Sequence, residues 1–154
     1  MRQALFNSIG ESIRGARVLD LFAGAGTIGL EALSRAAVQV VFVEREQACA
    51  TIVRENLAAM GLAERATVVC ADVIRWLDSH RQGVSAFNLI TVDPPYRDQD
   101  ELDKTILALD GASLRPQSLV VVEHHRRGAL PPLTHMQLIR SRDYGMTRLS
   151  FLRG

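Results

Sequence analysis

The sequence predicts an α/β fold: one seven-stranded, mostly parallel sheet with helices on both faces, ending in a C-terminal antiparallel hairpin. Three observations carry that expectation. Apolar strand-like runs alternate with helical segments over most of the chain. A glycine turn joins the first strand to the next helix, and the last two extended runs lie too close together for a crossover helix. The 154 residues, 47% apolar and 23% charged, are enough for one domain with a real core and too apolar for disorder. No apolar run approaches the ~18 residues of a membrane span. The opening residues lack the apolar stretch of a signal peptide. Two cysteines without motif spacing, Cys49 and Cys70, fit reduced, buried thiols of a cytoplasmic protein.

The elements follow in order. Residues Arg2 to Ser12 read as an amphipathic helix with Leu5, Ile9 and Ile13 on one side. Val18 to Phe22 is a buried strand, closed by Ala23-Gly24-Ala25-Gly26 and followed by a helix from Thr27 to Ala36. Val38 to Val43 is a second strand ending at Glu44, and Glu46 to Met60 a helix stopped by Gly61. Ala66 to Cys70 and Phe87 to Val92 are further strands, separated by a short helix from Val73 to Ser79. Asp100 to Leu109 is helical and Ser118 to Glu123 a fifth strand. Met136 to Ser141 and Thr147 to Leu152, with five residues between them, form the hairpin. No internal repeat or linker divides residues 1–154, so a single domain is expected.

Gly24, Gly26 and Gly29 match G-x-G-x-x-G, and Glu44 lies 20 residues beyond Gly24. Glycines let a backbone approach a ligand closely, the helix N-terminus offers free N–H groups, and a carboxylate after the second strand suits ribose hydroxyls. By itself this pattern also suits a dinucleotide enzyme. Asp20 argues against one, because a carboxylate facing the same region would repel a pyrophosphate. A ligand with no phosphate and a cationic end, such as S-adenosylmethionine, meets both requirements. Asp72, after the third strand, can accept from an adenine amino group. Each acid alone reads more readily as a helix cap or a surface charge than as a ligand contact; three at successive strand ends beside a glycine turn reverse that and point to one ligand site.

Asp93-Pro94-Pro95-Tyr96 follows a buried apolar strand. Two prolines stiffen the backbone and remove two N–H donors, leaving acceptors. The Asp93 carboxylate and the Pro94 carbonyl can hold both hydrogens of an exocyclic amine and aim its lone pair for in-line attack, a catalysis by positioning that needs no metal. The Tyr96 ring can stack on a planar base. The alternative is a Pro-Pro turn capping a strand.

With these residues in place, the sequence resembles class I S-adenosylmethionine-dependent methyltransferases, which have a Rossmann-like sheet. It resembles more closely the RsmD family, bacterial methyltransferases of a guanine N2 amine in 16S ribosomal RNA. The matching stretches are residues 2–7, 18–33, 43–44, 93–96, 122–124 and 143–145. The glycine motif and the tetrapeptide are shared by many methyltransferases; the Ala-Leu-Phe-Asn opening, Glu123-His124 and Tyr144-Gly145 narrow the resemblance. It implies that Asp20, Gly24 and Gly26 hold the methionine end of the cofactor, Glu44 its ribose and Asp72 its adenine, with Phe22, Thr27 and Val73 in the same set. It also implies that Asp93, Pro94, Pro95 and Tyr96 hold the guanine. Family members begin with a basic, RNA-gripping segment some tens of residues longer, and this chain is expected to lack it.

Of the 18 basic residues, 17 are arginine, which reflects either base composition or phosphate contacts. Six of them fall between His124 and Gly154 against one acid, Asp143. Local positive charge of that kind suits the phosphates of a nucleic acid, and the resemblance implies RNA or a small ribosomal subunit as that partner, with His124, Arg126, Arg127 and Arg142 as the expected contacts; a solvated loop is the other reading. Trp76 is expected in the core or as a pocket wall, and His80 and His135 are isolated. No metal-ligand spacing occurs. The alternatives left open are adenine N6 of DNA or a protein glutamine as methyl acceptor, an NAD-binding oxidoreductase, and a non-catalytic cofactor-binding module.

Overall fold

Runs rich in β-branched and apolar residues form most of the seven strands in the computed structural model, which describes residues 2–95 and 98–154; the strand over Gln137–Tyr144 is polar and exposed. They are β1 (Arg17–Leu21), β2 (Gln39–Glu44), β3 (Ala66–Cys70), β4 (Leu89–Val92), β5 (Leu119–His125), β6 (Gln137–Tyr144) and β7 (Thr147–Arg153). The helices are α1 (Arg2–Ile9), α2 (Thr27–Ser34), α3 (Gln47–Ala59), α4 (Val73–Ser79) and α5 (Gln99–Asp110). The sheet order is β3-β2-β1-β4-β5-β7-β6. Strands β1 to β5 run parallel, and β7 is antiparallel to both β5 and β6.

The central strands are apolar on both faces because helices cover both. On one face Val18, Phe42, Leu89 and Val121 pack with Leu5 and Phe6 of α1, Leu33 of α2 and Val53 of α3. On the other, Leu19, Ile90, Val92 and Val120 pack with Leu77 of α4 and Leu102 and Ile106 of α5. No helix among the described residues is long and apolar enough to cross a membrane.

Most element boundaries shift by a residue or two from the sequence expectation, and a few differences are larger or bear on the site. The first helix stops at Ile9, because Gly10 turns to φ +62° and the chain continues as a 3-10 turn to Ile13. Strand β5 runs on to His125. The hairpin strands also extend, leaving a two-residue turn, Gly145-Met146, with Gly145 at φ +60°. Finally, β7 inserts between β5 and β6, an order that spacing along the chain does not encode. The cysteines correct another expectation: Cys49 is half-buried and Cys70 exposed, because β3 is an edge strand; both are free thiols. Trp76 is half-buried, and His80, expected alone, stacks on it at 4.2 Å.

Candidate active site

Parallel strands deliver their C-terminal ends to one edge of the sheet, so Asp20, Glu44, Asp93 and Glu123 gather there, with Asp72 just beyond β3. The glycine turn is folded by left-handed backbone at Phe22 (φ +61°), Gly24 (+58°) and Gly26 (+85°). Phe22 adopts it without being glycine, which no sequence signal announces. The third glycine serves packing: a Cβ on Gly29 would lie 2.2 Å from the Phe42 ring, so α2 sits directly against β2.

The N–H groups of all three motif glycines are held within the protein. Gly24 donates to Glu44 Oε1 at 2.8 Å, Gly26 to the Ala23 carbonyl at 2.9 Å, and Gly29 to Asp20 Oδ2 at 3.1 Å. Glu44 Oε2 accepts from the Glu46 N–H at 2.8 Å, so this one carboxylate joins the glycine turn to the start of α3. In a dinucleotide site such N–H groups face a pyrophosphate. Here carboxylates already accept two of them, which disfavours an anionic ligand.

Asp20 was expected to face the ligand. It lies instead beneath the turn at 1% exposure, on the face of β1 that α2 covers, and its Oδ1 accepts from the Thr91 hydroxyl at 2.9 Å. Burial pushes its pKa up to about 7; the bonds from Thr91 and Gly29 oppose that, and the Glu44 charge adds to it. Asp20 therefore braces the turn rather than lining a cavity. Asp72 caps α4, accepting from the Arg75 N–H at 3.0 Å. Its neighbour Val73 reaches the cavity wall. Thr27 is the exposed first residue of α2.

Two cavities meet at Asp93. One, of about 230 Å³, is lined by Phe22, Gly24, Glu44, Val73, Asp93 and Glu101, among others. The second, of about 280 Å³, is lined by Asp93, Pro94, Pro95, Glu123, His124 and Thr147 among others. Asp93 and Pro95 belong to both walls. Tyr96 lies outside the described residues. The first cavity is strongly acidic, with Arg45 as the cation among its described wall residues, 3.7 Å from Glu101. Glu101 carried no sequence signal, since an acid in the first turn of a helix reads as ordinary dipole compensation. Burial raises its pKa, and Arg45 opposes the rise.

Glu123 is the other residue the sequence left without a role. Val92 and Val122 are register partners, so Asp93, the residue after β4, and Glu123, the next residue of β5, lie side by side and are hydrogen-bonded. Asp93 is open to solvent toward the cavities and crowded by protein elsewhere. That crowding, then the charges of Glu123 and Asp20, push its pKa up to about 7. Glu123 is raised as well, chiefly by burial.

The expected RNA contacts separate. His124 is buried, its Nε2 2.8 Å from Ser150 Oγ on β7, and burial lowers its pKa. It stands in the cavity wall rather than on the surface. Arg126 and Arg127 are exposed in the turn after β5, where the Arg126 N–H donates to the Met146 carbonyl at the hairpin tip. Arg142 is exposed on β6, the outermost strand, two strands away from β5.

A family model described as conserved hypothetical protein 95 matches residues 1–153. Ribosomal RNA small subunit methyltransferase D of Escherichia coli (strain K12) is 36% identical over 132 residues, 85% of this chain and 64% of that protein. YlbH of Bacillus subtilis (strain 168) is 34% identical over 148 residues, 96% of this chain and 80% of that protein. The solved structure of yhhF from Escherichia coli superposes with a TM-score of 0.88 at 32% identity, covering 99% of this chain and 83% of that one. The chain thus spans a little under two thirds of one curated relative and four fifths of another. A glycine turn braced by carboxylates, an acidic cavity and an Asp-Pro-Pro loop beside it agree with that match along the whole sequence: the chain belongs to the conserved hypothetical protein 95 family, the RsmD methyltransferases.

Proposed function

We propose that this chain transfers a methyl group from S-adenosylmethionine to the exocyclic N2 amine of a guanine in small-subunit ribosomal RNA. The observation that carries this reading is the pair of cavities sharing Asp93. One has the acidic character a cationic ligand needs, and the other is walled by an Asp-Pro-Pro backbone that offers acceptors to an amine. The residues present fit the cofactor. Glu44 keeps acceptor capacity beyond its two backbone bonds, Phe22 and Val73 give apolar walls, and no glycine N–H of the motif awaits a phosphate. When bound, the cofactor supplies an electrophilic methyl group on a sulfonium.

The protein's own residues then orient and exclude. Glu44 holds hydroxyls, the Asp93 carboxylate and the Pro94 carbonyl accept the two amine hydrogens, and the buried Pro94 keeps the loop in place. Fixing the nitrogen lone pair in this way lowers the barrier by orientation. The guanine enters unstacked, because its amine is not reachable within a paired helix. Arg126 and Arg127, at the rim, contact phosphates, and the name of the Escherichia coli relative supports ribosomal RNA as the substrate class.

Two measurements test this. S-adenosylhomocysteine is expected to raise the melting temperature, by about 2.7 kcal/mol of stabilisation at a hundred times its Kd, while NAD at the same concentration leaves it unchanged. A shift with NAD alone overturns the cofactor assignment. Incubation with labelled methyl donor and small-subunit RNA, followed by nucleoside analysis, is expected to yield N2-methylguanosine. The Arg126→Ala/Arg127→Ala double variant should bind that RNA more weakly, with a salt dependence flatter by roughly one to two in log–log slope. Label in adenosine, in DNA or in protein identifies a different acceptor.

A further inference from the structure

We propose that Glu123 is a positioning residue for the reaction: hydrogen-bonded to Asp93 across adjacent parallel strands, it keeps that carboxyl basic enough to take the proton that the amine releases. The inference rests on the methyl-transfer reading above. Methyl transfer leaves the amine nitrogen with one proton more than the neutral product carries. That N–H bond breaks, its electron pair stays on nitrogen, and the proton bonds to an Asp93 oxygen, where Glu123 shares it. No further reactant is needed.

The geometry carries the proposal. Parallel register puts Asp93 and Glu123 next to each other on the sheet face covered by α1 and α2. Both line the cavity that the Asp-Pro-Pro loop walls, Glu123 from within β5 and Asp93 from the residue after β4. Glu123 is half-buried, where an acid without work to do would be costly. Other groups also face the pair. Asp20 of β1 lies below it, and Arg2 of α1 lines a small cavity beside it while pairing with Glu31 at 3.7 Å. Asp98 at the start of α5, with His124 and His125 of β5, lines the open side, and Glu44 stands across the neighbouring cavity. The Asp20 charge acts on Asp93 in the same direction as that of Glu123, so acidic groups on two strands crowd that carboxyl. Two carboxyls this close titrate as a unit, and the second proton to leave does so at a higher pH than either acid alone would show.

The test is the pH dependence of kcat/KM for the intact chain with its RNA, alongside 13C NMR titration of the carboxyl groups without substrate. In the wild type, activity is expected to rise with pH to a plateau, with a midpoint near the raised value of Asp93, about 7. In Glu123→Gln, which removes one negative charge and keeps the side-chain shape, the midpoint should fall by about one unit or more, and the NMR titration of Asp93 should fall with it. The plateau rate should drop by about tenfold, as a weaker base predicts. Glu123→Asp should keep a raised midpoint. Wild-type and Glu123→Gln profiles with the same midpoint overturn the proposal even if Glu123→Gln is slow, since damage to packing lowers the rate without moving the midpoint. Should Glu123→Gln fail to fold, the wild-type NMR titration decides: Asp93 and Glu123 moving together support the pair, and independent titrations overturn it. Wild-type protein that methylates no guanine defeats the methyl-transfer reading instead, a result distinct from an unmoved midpoint.

Discussion

Asp93→Ala is expected to lower methyl transfer by about a thousandfold or more while leaving the Kd for S-adenosylhomocysteine within a few-fold of wild type. The size follows from what is removed. Positioning and preorganised charge account for many of the orders of magnitude in a reaction of this kind, and deleting one preorganised group commonly costs about 10²–10³ in kcat. Asp93 would supply both the acceptor that orients the amine and the base that takes its proton, so the loss falls at the upper end of that range or beyond. Cofactor affinity is expected to survive, because Glu44, Phe22, Gly24 and Val73 line the first cavity from other strands and loops, and Asp93 stands at its boundary. Single-turnover assays with ribosomal RNA and calorimetry with S-adenosylhomocysteine separate the two effects. Equal loss of binding and activity would make Asp93 a structural residue. Asp93→Asn keeps an acceptor oxygen but not the basicity, and should fall between wild type and alanine.

Gly29→Ala is expected to carry the largest stability cost of a single methyl group in this chain. The added Cβ would stand 2.2 and 2.6 Å from Phe42 ring atoms and 2.9 Å from a Val40 methyl, all in side chains with no solvent exposure. Overpacking of that kind typically costs about 1–3 kcal/mol. Here the neighbour is a rigid ring held from its other side by the core, which places the effect at the top of the range. For a chain of this size that corresponds to a fall in melting temperature of roughly 6–12 °C, readable by calorimetry. Moving α2 away would also lengthen the bond from the Gly29 N–H to Asp20, so cofactor affinity should weaken along with stability. An unchanged melting temperature would mean that α2 is not pressed against β2.

Much of the architecture was legible because parallel strands buried on both faces leave a plain record of consecutive apolar residues, as in Leu89-Ile90-Thr91-Val92. The glycine motif and the Asp-Pro-Pro loop were legible because each asks for backbone that few residues provide. Other features leave no such trace. Asp20 and Glu44 look alike in sequence, an acid near a strand end, yet strand alternation and the close approach of α2 seal Asp20 inside while Glu44 stays at a cavity wall. His124 lies two residues before a pair of exposed arginines, and in sequence it reads as one of their group. Because β5 continues through it, its side chain turns toward Ser150 while theirs extend outward. Glu123 became visible only through register with β4, a relation between residues 30 positions apart.

The insertion of β7 between β5 and β6 also constrains the sequence of events in folding. The β6–β7 pair is local and can close on its two-residue turn by itself, but only its later strand meets the rest of the sheet. Until Thr147–Arg153 arrives, the side of β5 facing away from β4 presents unpaired N–H and C=O groups. The rim around Glu123 and His124 is therefore complete only when the hairpin docks on β5, because Thr147 of β7 closes the same cavity wall.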